Sequence, residues 1–239
     1  MRRHGRTRRR RGASSIAVET IAKTAPQSAD AARLAAAVEA ANAAVIEAAL
    51  NGLGKPGMGC TATCAYIEND TLAIAHVGDS RAYLLHEGTL IRVTRDHSYV
   101  EELVDAGEIT ADEARVHPNR SVITRALGSD PAMYADHFTL HIEEGDRLIL
   151  CSDGLSSMIP DSDIENIATQ SSSAQICVDN LVDAALAAGG HDNVTVVVVD
   201  LVDDGVMREA KRVRRRNVTI ATVLSLIHIS EPTRPLYIS

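Results

Sequence analysis

The sequence predicts an α+β fold in which helices cover antiparallel sheet, and three observations carry that expectation. Short apolar runs between residues 60 and 93 are separated by the turn dipeptides Asn69-Asp70 and Glu87-Gly88, which reads as strands joined by tight turns rather than alternating βαβ units. Alanine-rich segments with aliphatic residues at helical spacing lie before these strands, and further helical segments follow them. The run Val194 to Val199 is too short and too β-branched for a helix and reads as a buried strand. At 239 residues with no Pro/Ser/Gly linker, the chain can build one substantial core, and one domain is expected.

Taken in order, Met1 to Arg11 holds seven arginines and cannot pack, so it reads as a basic arm. Ala13 to Lys23 and Ala29 to Leu50 follow as two helices; Leu34, Val38, Val45 and Ile46 mark the apolar face of the second, and Asn51-Gly52 stops it. The glycine-rich loop Gly54 to Gly59 leads into strands at Cys60 to Ile67 and Leu72 to Val77, then at Ala82 to Leu85 and Leu90 to Val93. Four such strands in succession predict a meander. Two short helices are expected at Val100 to Ala106 and Thr110 to Arg115, the second with Thr110 as N-cap and Glu113 completing a capping box. This charged insertion, Asp96 to Gly128, has the look of a lid over a site or of a plain surface excursion. Strands at Ala135 to Ile142 and Asp146 to Cys151 come next, then helices at Pro160 to Ala168, capped by Asp161 or Ser162, and at Ser173 to Ala188.

Charge and cysteine content exclude several function classes. The formal net charge is −8, but the body from Gly12 to Val206 carries ten Lys or Arg against thirty Asp or Glu, while Arg208 to Arg216 holds six Lys or Arg. An acidic body with 3% aromatic residues and no tryptophan is a poor nucleic-acid binder and a plausible cation binder. Cys60, Cys64, Cys151 and Cys177 form no CxxC pair and read as core residues of a reducing compartment. Met1 to Arg11 lacks the apolar stretch of a signal peptide.

Two stretches place an aspartate where an apolar run meets a tight loop: Leu150-Cys151-Ser152-Asp153-Gly154-Leu155 and His191-Asp192-Asn193-Val194-Thr195. If the strand ending at Cys151 and the one starting after Asp192 are antiparallel neighbours, both carboxylates meet at one sheet edge. Asp79, in His76-Val77-Gly78-Asp79-Ser80-Arg81, is a third carboxylate at a strand end. Hard oxygen ligands among glycines suit Mg²⁺ or Mn²⁺ better than zinc. Asp-Gly and Asp-Asn are also ordinary turn dipeptides, so residue type alone leaves a turn role open for each. His97, His117 and His137 are scattered and read as surface or core residues.

These blocks resemble a family, the metal-dependent serine/threonine protein phosphatases of type 2C in their bacterial form. Gly57-Met58-Gly59-Cys60-Thr61 is similar to that family's G-M-G-T-T, His76 to Arg81 to its H-x-G-D-S-R, and Thr94-Arg95-Asp96-His97-Ser98 to its T-x-D-H-S. Ile123 to Gly128, Cys151 to Leu155 and His191 to Thr195 match the remaining blocks in order, and the resemblance covers Gly12 to Asp200. It implies an α-β-β-α sandwich of two antiparallel sheets flanked by helices and a dinuclear Mn²⁺ or Mg²⁺ centre. It also implies hydrolysis of phosphoserine and phosphothreonine by a metal-activated water. By the family pattern Asp153 and Asp192 bind one of two core ions and serve as the catalytic pair, Asp79 helps to bind a possible third, and Asp96 to Gly128 is a flap. Phosphorylated proteins are the implied partners, among them a bacterial serine/threonine kinase and its substrates, with a monomer acting in the cytoplasm.

The departures lie at the ends. The family's two first strands, its phosphate-holding arginine and its D-G-M-G-G-H motif, whose aspartate bridges both metals, are not present in this sequence. A GC-rich stretch encoding D-G-M-G-G-H-A-G-G-E-V, read one base out of frame, gives Arg2 to Gly12, so residues 1–12 are expected to be a misframed remnant preceding a phosphatase domain at 13–205. The chain as written is then expected to have impaired activity, or to be a catalytically silent metal- or phosphoprotein-binding module of the same fold. Residues 206–223 resemble a basic juxtamembrane flank and the start of a membrane anchor, too short here to span a bilayer of roughly 20 residues. Leu224 to Ser239 resembles a translated adapter.

Overall fold

The computed structural model describes residues 12–202. The expectations for residues 1–11, for the basic segment from 206 and for Leu224 to Ser239 lie outside them.

The first layer is a helix pair, α1 (Ala13–Thr24) and α2 (Ala31–Leu50). Asp30 caps α2, its carboxylate accepting from the Arg33 backbone N–H at 3.0 Å, which satisfies one of the donors a helix start leaves unpaired. The buried stripe of α2 is Leu34, Ala35, Val38, Ala41, Val45 and Ala48, small enough for the helix to lie close on the sheet beneath. The chain continues through β1 (Ala62–Glu68), β2 (Thr71–Val77), β3 (Arg81–His86) and β4 (Thr89–Arg92), then α3 (Tyr99–Asp105) and α4 (Ala111–Val116). After β5 (Asp136–His141) and β6 (Arg147–Cys151) come the single turn α5 (Asp153–Ser156), α6 (Asp161–Gln170), α7 (Ala174–Ala187) and β7 (Val196–Asp200).

All pairings are antiparallel, but the strands do not form one meander. The first sheet has the order β1-β2-β5 and the second β4-β3-β6-β7, so the chain leaves one sheet at Val77 and enters the other at Arg81. Alternating apolar residues mark each strand locally and carry no information on which distant strand it pairs with, which is why the expected meander is two hairpins in two sheets. The caps differ from expectation at one helix: α6 starts after Pro160, with no side-chain cap from Asp161 or Ser162, because both are already inside the helix. Thr110 and Glu113 form the expected capping box on α4.

The layers follow α-β-β-α. One core joins α1 and α2 to the outer face of the first sheet, a second joins α6 and α7 to the second sheet, and a third fills the space between the sheets. In that middle core Leu72 and Ile74 face Leu148 and Leu150, all essentially inaccessible. Each such side chain contributes roughly 1.5–3 kcal/mol by leaving water. All four cysteines are buried and unpaired, as expected of core thiols. Among the described residues no helix is long and apolar enough to cross a membrane.

Register puts the motif loops together. Ala62 lies opposite Val77 in the first sheet, while Arg81 faces Cys151 and Cys151 faces Val196 in the second. The residues just beyond these pairs, Thr61, Gly78 to Ser80, Ser152-Asp153 and Asn193 to Thr195, therefore gather at one end of the stacked sheets.

Candidate functional site

The expected pairing of the Asp153 and Asp192 loops is what the structure contains: β6 and β7 are antiparallel neighbours and their loops meet. Ser152 joins them. Its N–H donates to the Thr195 carbonyl at 3.0 Å, its Oγ accepts from the Thr195 N–H at 3.0 Å, and that hydroxyl donates to the Asn193 carbonyl at 3.3 Å. The approach is so close that a Cβ on Gly154 would sit 2.3 Å from the Asn193 carbonyl oxygen. Glycine is therefore required there by contact between two backbones. Asp153 heads α5, and burial followed by the neighbouring Asp192 carboxylate pushes its pKa up to about 6. Asp192 is exposed, with one oxygen accepting from the Asn193 N–H at 2.7 Å.

Asp79 sits in the segment that crosses between the sheets. Its flanking residues are held on every side. Ser80 Oγ bonds Thr61 Oγ at 2.9 Å, and Thr63 Oγ lies between the Ser80 carbonyl at 3.2 Å and His76 Nδ1 at 2.9 Å. Gly78 has φ +113° and no room for a Cβ, which would lie 2.2 Å from the Thr61 methyl. With the backbone so fixed, the Asp79 carboxylate is buried, and burial together with Asp153 and then Asp96 raises its pKa well above the usual carboxylate range.

Both aspartates border a cavity of about 710 Å³ that Asp192 also lines. Three other carboxylates on its wall have partners: Asp96 accepts from Arg81 Nε and Nη2 at 3.0 and 2.8 Å and pairs with Arg92 at 2.8 Å. Glu101 pairs with Arg92 at 3.0 Å, and Asp161 accepts from the Tyr83 hydroxyl at 2.9 Å. Asp79 Oδ1 and Asp153 Oδ1, by contrast, are buried without a hydrogen-bond partner. Orphaned carboxylate oxygens at the wall of one cavity fit a hard divalent cation, which would satisfy them and reverse the cause of their raised pKa values. Among the described residues no group of three or more His, Cys, Asp or Glu converges closely enough to hold a metal ion by itself.

The insertion forms the roof. Val100, Glu101 and Val104 of α3 and Arg115 of α4 line the cavity, and Arg115 Nη2 reaches the Met158 carbonyl at 3.5 Å while its Nε is buried without a partner. No residue of α4 is buried, so the roof is lightly anchored.

The sequence reading located Asp79, Asp153 and Asp192 but passed over residues that hold them. Ser152 carried no signal beyond its place beside Asp153. His97, read as an ordinary histidine, is 4% exposed and bonds to the backbone beside Asp79. Its place directly after Asp96 in a polar block between two apolar runs was the available sign.

Fold and cleft together define a class: a two-sheet α-β-β-α sandwich with a carboxylate-lined cleft at the sheet ends, suited to divalent cations. The chain belongs to the protein phosphatase 2C family, whose profile matches residues 3–194. It is 40% identical over 144 residues to the serine/threonine phosphatase stp of Listeria welshimeri, an alignment covering 60% of this chain and 57% of that protein. With the serine/threonine protein phosphatase PstP of Mycobacterium tuberculosis it shares 43% identity over 175 residues, 72% of this chain and 33% of that protein. The chain thus spans between a third and three-fifths of these curated relatives. The crystal structure of the M. tuberculosis phosphatase PstP/Ppp superposes with a TM-score of 0.74 at 38% identity, covering 80% of this chain and 82% of that one. A structure of the PstP catalytic domain in complex with two manganese ions gives 0.72 at 36% identity, over 80% and 81% of the two chains.

Proposed function

We propose that this chain is a metal-dependent serine/threonine protein phosphatase domain that hydrolyses phosphoserine and phosphothreonine in proteins, with one Mn²⁺ or Mg²⁺ ion bound through Asp153 and Asp192 and a further ion through Asp79. The observation that carries the reading is the pair of buried, unpartnered oxygens on Asp79 and Asp153 in one cleft. When bound, such cations would supply Lewis acidity toward a water and toward the phosphoryl oxygens. The chain's own residues do the rest. Ser152 holds the Asp153 and Asp192 loops at fixed separation, and the Arg81–Asp96–Arg92 cluster keeps two arginines from neutralising the open carboxylates. Helices α3 and α4 roof the cleft, and Arg115 stands on its wall as a cation suited to a phosphoryl oxygen. On this reading the partners are phosphorylated proteins, among them a bacterial kinase and its substrates, met by a cytoplasmic monomer.

A second reading is a catalytically silent module of the same fold that binds a phosphoprotein or a loosely held metal, since the described residues alone do not bring three ligands together. A phosphothreonine-peptide assay with Mn²⁺, run beside calorimetric Mn²⁺ titration, separates the two. Slow, Mn²⁺-dependent phosphate release that EDTA abolishes is expected. Mn²⁺ binding with no release would support the module, and the absence of both would overturn both.

A further inference from the structure

The T-x-D-H-S block, Thr94 to Ser98, has one residue that the cleft chemistry does not account for. His97 comes from the loop before α3, yet it contacts the crossing segment twice: its backbone N–H donates to the Gly78 carbonyl at 2.7 Å, and its Nδ1 accepts from the Gly78 N–H at 3.0 Å. A backbone N–H can only donate, so Nδ1 carries no hydrogen and Nε2 carries it. That N–H faces Asp136 Oδ2 at 3.0 Å, on β5 of the first sheet; Arg125 Nη1 also stands 3.1 Å from Nε2, but both are donors, so the bond goes to the carboxylate. Asp136 is fixed in turn by Arg125, whose Nη1 donates to its other oxygen at 2.6 Å and whose guanidinium lies 4.0 Å over the Tyr134 ring. The His97 ring also rests against His76 of β2, with centroids 5.0 Å apart.

Gly78 is where this matters. Its φ of +113° is a conformation that ordinary turns do not enforce, and it sets the direction in which the next residue, Asp79, leaves the sheet. Both polar groups of Gly78 end on one side chain and its own backbone. We infer that His97 is a positioning residue for Asp79: oriented by Asp136, it clamps the Gly78 peptide and so aims the Asp79 carboxylate, with its unpartnered Oδ1, into the cleft. The arrangement is carboxylate, imidazole, backbone, then ligand, one step longer than the usual support for a metal-binding side chain.

The inference rests on the phosphatase reading for its purpose and not for its test. Mn²⁺ affinity by calorimetry and amide hydrogen exchange at Gly78 are measured for the parent, His97→Ala, His97→Asn and, as a control, the exposed His141→Ala. The Asn carboxamide oxygen can occupy the Nδ1 position and accept from Gly78. His97→Ala should weaken Mn²⁺ binding about tenfold and speed Gly78 exchange, His97→Asn should restore most of both, and His141→Ala should change neither. Should His97→Ala fail to fold, His97→Asn against His97→Leu carries the comparison. Unchanged Gly78 exchange in a folded His97→Ala or His97→Leu overturns the clamp, as does unaltered Mn²⁺ affinity. A parent that binds no Mn²⁺ overturns the metal reading instead, and Gly78 exchange still decides whether the clamp exists.

Discussion

Gly154→Ala is expected to remove Mn²⁺ binding and to destabilise the fold by about 1–3 kcal/mol, the range for forcing a methyl into packed surroundings. The atoms in the way are backbone: the Asn193 carbonyl oxygen at 2.3 Å, its carbon at 2.9 Å and Val194 Cα at 3.3 Å. None can rotate aside as a side chain would. The two loops must separate, breaking the bonds that Ser152 makes to Asn193 and Thr195 and drawing Asp192 away from Asp153. Thermal melts with and without Mn²⁺ check this. A variant that melts like the parent and keeps its Mn²⁺-dependent rise would show that the loops are not in contact as described.

Asp153→Asn should do the reverse to the metal-free protein. The Asp153 carboxyl is pushed up to about 6 by burial and by Asp192, whereas in an unfolded chain it titrates near 4. Between those values the native state holds a proton that the unfolded state has released, so this residue's contribution to stability falls as pH rises through the window. Above pH 6 the parent carries a native-state charge opposed by its surroundings, at a cost on the order of 1–3 kcal/mol. The neutral amide avoids that cost. Metal-free Asp153→Asn should therefore melt higher than the parent at pH 7.5, lose the advantage by pH 4, and show no stabilisation by Mn²⁺. Equal melting at pH 7.5 in chelator would mean that the carboxylate is not electrostatically stressed.

Local chemistry made the strands, the capping box on α4 and the motif loops legible in the sequence, because each depends on residues a few positions apart. The antiparallel β6–β7 pair followed from one further step, the tendency of two apolar runs to share a sheet, although β7, expected to be buried, is half-buried along its whole length at the sheet edge. Division into two sheets was not legible. Val77 and Arg81 sit in different sheets because Gly78 turns the chain between them, and the sequence around Gly78 reads equally well as a hairpin turn. The short helix α5 is a single turn and leaves no periodicity to detect. Asp79, Asp153 and Asp192 were visible as carboxylates at strand ends; Ser152 and His97 were not visible as their supports, since the groups they bond are the backbone of distant loops, which leave no mark in residue type.

The crossing at Gly78 also bears on the order of events in folding. Asp79 comes to line one cleft with Asp153 and Asp192 only after β3 has found β6 and β6 has found β7, pairings between segments far apart in the chain. A chain with only its local hairpins formed has no cation site to fill, and long-range pairing of this kind is slow to form. A divalent ion bound there would act as a lock applied after assembly: it should lengthen the lifetime of the native state, seen as a slower unfolding arm in denaturant-jump kinetics, and leave the refolding rate nearly unchanged.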